Sequence, residues 1–91
     1  MEVRFEPGVV VATPGALELI GEFPETVAQA IQRHLSGDWG EVDAHDRKAN
    51  DDALKYGTRL LSAYTLPSGV KVWIITEADR SSTTFLLPEE Y

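Results

Sequence analysis

The sequence predicts a single α+β domain with the element order β-α-α-α-β-β-β, in which helices pack on one face of a three- to four-stranded, mainly antiparallel sheet. Two observations lead to this fold class. The apolar residues follow a helical period between Pro14 and Gly57 and a period of two from Thr58 onward. A chain of 91 residues that is 43% hydrophobic has room for one core, so we expect residues 1–91 to form one domain.

The first half of the chain predicts one strand and three helices. Residues 8–13 are rich in valine and precede a proline, which predicts a strand, and Thr13 is then placed to cap a short helix over residues 14–21. Residues 24–36 form a second predicted helix that ends at Gly37. A third begins after Asp43 and ends before Gly57, with a narrow apolar stripe formed by Val42, Ala49, Ala53 and Tyr56.

The second half predicts a three-stranded meander. Its strands cover residues 58–66, 70–77 and 82–88, and the turns between them read Pro-Ser-Gly and Ala-Asp-Arg-Ser. The middle strand alternates so that Val72 and Ile74 point to one face while Trp73 and Ile75 point to the other. We therefore expect helices on one face and partial cover on the other. The spacing leaves open whether the first strand joins this sheet.

Composition disfavours several partners. With 15 acidic and 8 basic residues the net charge is −7, which works against binding to nucleic-acid phosphates. The sequence contains no cysteine, so disulfides and thiolate metal ligands are excluded and a reducing cytoplasm suits the chain. It contains no apolar run of about 18 residues and no Gly-rich cofactor loop. We expect a soluble cytoplasmic protein with no membrane partner and no cofactor.

Four motifs carry a resemblance to a known family. They are Gly-Asp-Trp-Gly at residues 37–40, Arg-Leu-Leu-Ser-Ala-Tyr at 59–64, Trp-Ile-Ile-Thr-Glu-Ala-Asp-Arg-Ser at 73–81 and Thr-Thr-Phe-Leu-Leu-Pro-Glu-Glu-Tyr at 83–91. From Gly8 to Tyr91 the chain resembles small uncharacterised bacterial proteins of phages, plasmids and other mobile elements. Members are often labelled as a type I restriction enzyme subunit, but 91 residues cannot hold a methyltransferase domain. The resemblance implies a family without implying an activity.

The predicted topology is also loosely similar to that of RelE/barnase-like ribonucleases. In such an enzyme His45 or Glu77 would act as the general base, and a guanidinium would stabilise the transferring phosphate. The candidate cations are Arg47, Arg59 and Arg80. These residue types are common in any domain of this length, so we assign no catalytic residue and keep a ribonuclease toxin as the alternative function.

The turn after the middle strand is the first candidate binding site. Glu77, Asp79 and Arg80 place two carboxylates beside a guanidinium, which could orient a polar ligand or contact a partner protein. The competing interpretation is structural: Asp79 hydrogen-bonds to the turn backbone and Arg80 pairs with a nearby acid. The residue types favour the structural interpretation.

Trp39 is the second candidate. Two glycines flank the Asp-Trp pair, and an exposed tryptophan in a loop is a typical anchor at protein interfaces. In a small core, however, a large aromatic side chain contributes much of the buried area. We therefore favour a Trp39 that folds back over a helix junction or the sheet edge.

The remaining polar residues give weaker signals. His34 and His45 lie eleven positions apart, match no common metal spacing and predict no metal site. Four acids could form a surface that mimics DNA and opposes a host defence complex, although a solvated helix face explains them with fewer assumptions: Asp43, Asp46, Asp51 and Asp52.

Taken from the sequence, the expected function is macromolecule binding without catalysis, with a protein as the partner. A homodimer is a further possibility if the second sheet face is apolar and exposed, because monomers rarely expose large apolar patches. The residues that would form this dimer face are Leu61, Trp73, Ile75 and Leu86.

Overall fold

The structure is a computed structural model that describes residues 3–91. The α+β class and the predicted order of elements are confirmed. A short 3-10 helix, Pro88–Glu90, follows the last strand. In chain order the strands and helices are β1 (Val9–Ala12), α1 (Pro14–Glu22), α2 (Pro24–Leu35), α3 (Ala44–Tyr56), β2 (Leu60–Thr65), β3 (Lys71–Thr76) and β4 (Ser82–Leu86).

The four strands form one mixed sheet in the order β1-β4-β3-β2. The meander is antiparallel, with Thr76 of β3 opposite both Leu60 of β2 and Thr83 of β4. The first strand runs parallel to β4, and Val9 lies opposite Ser82. β1, whose place the sequence left open, therefore forms one edge of the sheet, and β2 forms the other.

The helix ends follow the predicted capping chemistry. The Thr13 hydroxyl accepts a hydrogen bond from the N–H of Ala16, and the Asp43 carboxylate accepts one from the N–H of Asp46 at 2.8 Å. Gly57 ends α3 in the left-handed conformation with φ 72°. α1 continues one residue past Gly21, so the short connection to α2 is Phe23.

The helices lie on one face of the sheet, and the core fills the space between them. The alternation predicted for the middle strand holds, since Val72, Ile74 and Thr76 are fully buried. The main core cluster consists of Ala16, Leu19, Val27, Ala30, Tyr64, Leu66, Val72, Ile74 and Phe85. A second cluster lies near α3, where Trp39, Ala53 and Leu60 pack with Phe5, Val42 and Leu54.

The apolar stripe predicted for α3 is partly wrong. Ala53 is buried, but Ala49 is exposed and Tyr56 is 69% exposed. The inward position between them is taken by Asn50, whose side chain is buried against β2. A polar residue replaces an apolar one there because α3 packs beside a strand edge, where backbone groups need partners.

Candidate functional site

The turn between β3 and β4 uses Asp79 to fix its own backbone. The Asp79 carboxylate accepts a hydrogen bond from the Ser81 N–H at 2.9 Å. Hydrogen bonds from the side chain and backbone of Ser81 lower the pKa of Asp79. The next residue, Arg80, has φ 61°, and its N–H donates to the Glu77 carbonyl. The Asp79 side chain therefore hydrogen-bonds to the backbone of its own turn, as the structural interpretation expects.

The Arg80 side chain links the same turn to the end of α3. Its guanidinium donates to the carbonyl oxygens of Ala53 at 2.9 Å, Thr58 at 2.6 Å and Glu77 at 3.1 Å. A cation at a helix C-terminus is favourable because the last carbonyls carry partial negative charge. The Glu77 carboxylate instead lies 3.6 Å from the Arg59 guanidinium. The donors of Arg80 are therefore directed into the protein.

Trp39 lies in the second core cluster and is 3% exposed. Its indole N–H donates to the Asp51 carboxylate at 3.0 Å, and its ring stacks on Phe5. A side chain this deeply buried offers no anchor to a partner in this conformation. Its position is that of a tryptophan folded back over the sheet edge.

The segment around Trp39 closes the outer edge of β2. The Ala63 N–H donates to the Trp39 carbonyl at 3.1 Å, and the Glu41 N–H donates to the Ala63 carbonyl at 2.7 Å. The Glu41 carboxylate accepts from the N–H and hydroxyl of Thr65. Asn50 completes the edge by binding both the N–H and the carbonyl of Leu61. The outward N–H and C=O groups of Leu61 and Ala63 and the outward N–H of Thr65 all have partners, so these groups are not free to pair with another strand.

Gly40 makes this closure possible. It has φ 75°, and a Cβ at this position would lie 2.1 Å from the Ala63 carbonyl oxygen. Asp38 holds the neighbouring turn through a 2.7 Å ion pair with Arg33, and the hydrogen bond from Arg33 lowers the pKa of Asp38. Its carbonyl accepts a hydrogen bond from the Tyr64 hydroxyl. The Gly-Asp-Trp-Gly motif is accounted for by these contacts.

The opposite edge, β1, has no neighbouring strand on its outer side among residues 3–91. The Val9 N–H donates to the carbonyl of Ser81, just before β4, and the Thr13 N–H donates to the carbonyl of Phe85 in β4, both at 3.0 Å. The N–H and C=O groups of Val10 and Ala12 therefore point away from the sheet. Within residues 3–91, no strand or side chain pairs with these outward groups. The exposed fractions of Val9, Val10 and Val11 are 66%, 50% and 44%. β1 therefore exposes both unpaired backbone groups and apolar side chains.

A buried chain of hydrogen bonds connects His34 of α2 to hydroxyl groups on β2, β3 and β4. The imidazole Nδ1 lies 2.5 Å from the Ser62 hydroxyl, and Nε2 lies 2.9 Å from the Thr76 hydroxyl. The Thr76 hydroxyl is hydrogen-bonded to the Thr83 hydroxyl, which donates to the carbonyl of Pro7. Because each hydroxyl has one proton, donation by Thr83 to Pro7 makes Thr76 donate to Thr83, and His34 then donates from Nε2.

In this tautomer the neutral His34 ring accepts a hydrogen bond at Nδ1 from the Ser62 hydroxyl. Burial, and to a smaller extent the positive charge of Arg80, lowers the pKa of His34 to about 4. A serine bonded to a histidine is also the arrangement of a nucleophile and its base. Both residues are completely buried, so substrate cannot reach this pair in this conformation.

The acidic surface proposed on α3 consists of residues with partners inside the chain. Asp51 binds Trp39, Asp52 pairs with Lys48 at 3.0 Å, and Asp43 caps the helix. His45 is exposed, and its Nδ1 lies 3.6 Å from the Asp46 carboxylate. The ligand atoms of Asp43, His45 and Asp46 lie within 4.8 Å of one another, but they belong to one exposed helix start whose contacts are explained by capping.

The sheet face opposite the helices is partly covered. Ile75 and Leu86 are each 4% exposed, so two of the residues predicted for a dimer face are buried within the chain. Tyr91 packs edge-on against Trp73, with ring centroids 5.6 Å apart, and its hydroxyl accepts from Arg59 at 2.9 Å. A cleft of about 260 Å³ remains on this face, lined by Arg59, Leu61, Trp73, Ile75 and Tyr91. Leu61 and Trp73 on this face are half-buried, whereas Val9, Val10 and Val11 of β1 are exposed.

Comparison of the chain with protein-family models, with curated proteins and with solved structures found no match. The resemblance to mobile-element proteins stays a prediction. Among residues 3–91, no helix is both long enough and apolar enough to cross a membrane.

Two structurally important residues escaped the sequence interpretation. Asn50 had a detectable signal, since asparagine is a poor helix former and its presence within a helix indicates a side-chain role. Glu90 had none. Its carboxylate binds the Thr13 hydroxyl and the Gly15 N–H across 75 or more residues, and no local pattern predicts such a contact.

Proposed function

We propose that this chain is a non-enzymatic protein-binding module that adds an extended segment of its partner to the free edge of β1. The difference between the two sheet edges supports this proposal. The β2 edge is closed by backbone groups and by the side chains of Glu41 and Asn50. The β1 edge has no such closure among residues 3–91 and exposes three consecutive valines. Natural sheets usually cover or charge such an edge, because it is a ready template for another strand.

The chemistry of the other candidate residues supports binding over catalysis. The guanidinium of Arg80 is bonded to backbone carbonyls, which leaves it poorly placed for a substrate phosphate. His34 and Ser62 are buried, and Glu77 pairs with Arg59. In the setting implied by the family resemblance, the module would serve as an accessory protein of a mobile element.

Strand addition has a defined chemical basis at this edge. An added strand exchanges hydrogen bonds with the outward N–H and C=O groups of Val10 and Ala12, and these main-chain bonds supply affinity without requiring a particular sequence. Its side chains pack beside the exposed valines, which lose contact with water. Both gains require an edge that is free in the unbound protein.

A displayed-peptide selection tests this proposal with Val10→Pro as the edge-blocked variant. The Val10 N–H points away from β4, so proline there removes an outward donor and spares the β1–β4 hydrogen bonds. The matched control is Tyr56→Lys, which changes a 69% exposed aromatic residue on α3. Peptides enriched on the wild-type protein should bind Tyr56→Lys equally well and lose binding to Val10→Pro.

Thermal unfolding and circular dichroism establish that both variants keep the fold. Selected peptides that bind Val10→Pro as well as they bind the wild-type protein would exclude the β1 edge as the binding surface. Failure to enrich any peptide on the wild-type protein would also count against the proposal.

A further inference from the structure

The charges of this chain are strongly segregated along the sequence. No lysine or arginine occurs between Arg4 and Arg33, whereas this interval contains Glu6, Glu18, Glu22 and Glu25. The interval includes β1 and α1, which are adjacent in the fold. Every charged residue from residue 5 to residue 32, a segment that includes the open edge, is therefore acidic.

Carboxylates also flank both ends of β1 in space. At its start, Gly8 packs against the backbone of Arg80 and Ser81, next to Asp79. At its end, the Glu90 carboxylate is bonded to Thr13 and Gly15. The nearby cation, Arg80, directs its guanidinium toward the end of α3. A strand bound along β1 would thus have negative charge near each of its ends.

We infer that the partner segment is an extended strand with an apolar, β-branched middle and basic residues at both ends. This inference rests on the proposed binding function and specifies its partner. The middle matches the exposed valines, and the basic ends match the flanking carboxylates.

A second copy of this chain fits the same edge less well. The outward groups of Val10 and Ala12 could pair with those of a symmetry-related β1 around a twofold axis at Val11. That pairing would bring the Asp79 end of one copy to the Glu90 end of the other. Because each chain has a net charge of −7, self-pairing would be opposed by repulsion that a basic partner avoids.

Two synthetic peptides separate the charge requirement from strand addition itself. Both have alternating valine and threonine in the middle; one carries lysines at each end and the other carries glutamates. Fluorescence anisotropy with the full chain should show binding of the lysine peptide at least about tenfold tighter at low salt. Raising the salt concentration should weaken that binding, because screening reduces the attraction. Val10→Pro should abolish it.

The acidic residues provide a second comparison. Glu6→Gln should reduce the preference for the lysine peptide, while Asp52→Asn on α3 should leave it unchanged. Equal binding of both peptides, with loss of both in Val10→Pro, would overturn the charge inference and leave the proposed function intact. Absence of binding by either peptide would also overturn the inference.

Light scattering tests the second copy directly. A mass of one chain at low and high salt is the expected result. A dimer that forms more readily as salt increases, and that Val10→Pro prevents, would overturn the inference by showing that another copy occupies the edge.

Discussion

The buried imidazole of His34 should make the protein unstable in mildly acidic solution. Its pKa is lowered from 6.5 to about 4, since burial disfavours the charged ring and the charge of Arg80 opposes protonation. Protonation would also put a proton on Nδ1, where the Ser62 hydroxyl now donates. The unfolded chain therefore binds this proton more tightly than the folded protein does.

The sign and size of the effect follow from this difference. The stabilisation is fully present above the unfolded pKa of 6.5 and is lost as the pH falls toward the folded pKa of about 4. The full pKa difference corresponds to about 3.4 kcal/mol, since each pKa unit corresponds to about 1.4 kcal/mol. About 2.5 kcal/mol of it should be lost between pH 7 and pH 4.5.

Protonation of carboxylates contributes little to the loss of stability between pH 7 and pH 4.5. The pKa of Asp38 is lowered mainly by the hydrogen bond from Arg33, and that of Glu90 mainly by the hydrogen bond from Thr13. Their stabilisation is present above their ordinary pKa values of 3.8 and 4.5 and is lost below them. A comparison that stops at pH 4.5 therefore reports chiefly on histidine.

Urea unfolding at several pH values measures the loss, and His34→Gln should remove most of its pH dependence. The matched control is His45→Gln, which changes an exposed histidine and should retain the loss. NMR titration of the wild-type imidazole provides a measurement that needs no variant. A His34 ring that titrates near pH 6.5 in the folded protein, or a pH dependence that persists in His34→Gln, would refute the reasoning.

Two further predictions concern the closed β2 edge. Gly40→Ala should lower the free energy of unfolding by about 3 kcal/mol or more, because the added Cβ would collide with a backbone carbonyl. The control is Gly57→Ala, at φ 72° with open space around it, which should lower the free energy of unfolding by only about 1 to 2 kcal/mol. Equal losses in thermal or urea unfolding would contradict the steric argument. Asn50→Ala should cost about 2 to 3 kcal/mol by leaving both backbone groups of Leu61 without partners. Hydrogen exchange of the Leu61 amide should then accelerate, and unchanged protection would show that another group replaces the asparagine.

Local sequence signals predicted the elements because each signal acts over a few residues. Thr13 and Asp43 cap helices that begin where their side chains can reach the first N–H groups. The alternation along β3 placed Val72 and Ile74 on the buried face. The stripe predicted for α3 was partly wrong at Tyr56, since periodicity does not reveal how much of a helix its neighbour covers.

The candidate site was harder to predict because residue types do not specify their partners. Glu77, Asp79 and Arg80 suggested a charged cluster. The guanidinium of Arg80 instead donates to the carbonyls of Ala53 in α3 and of Thr58 just after it, more than twenty residues earlier in the chain. Trp39 suggested either an anchor for a partner or a buried side chain, and contacts with Asp51 and Phe5 hold it in the buried position. Contacts between distant segments decide such cases, and the local sequence contains little information about them.

The sequence by itself determined an acidic α+β domain, its helix caps, its meander and the absence of cysteine chemistry, because these depend on composition and short-range periodicity. The tertiary structure decided where β1 lies, which edge of the sheet is closed and which groups are buried. A strand becomes an edge only when the whole sheet is assembled. The exposed backbone of Val10 and Ala12 is therefore a property of the fold that their own sequence does not specify.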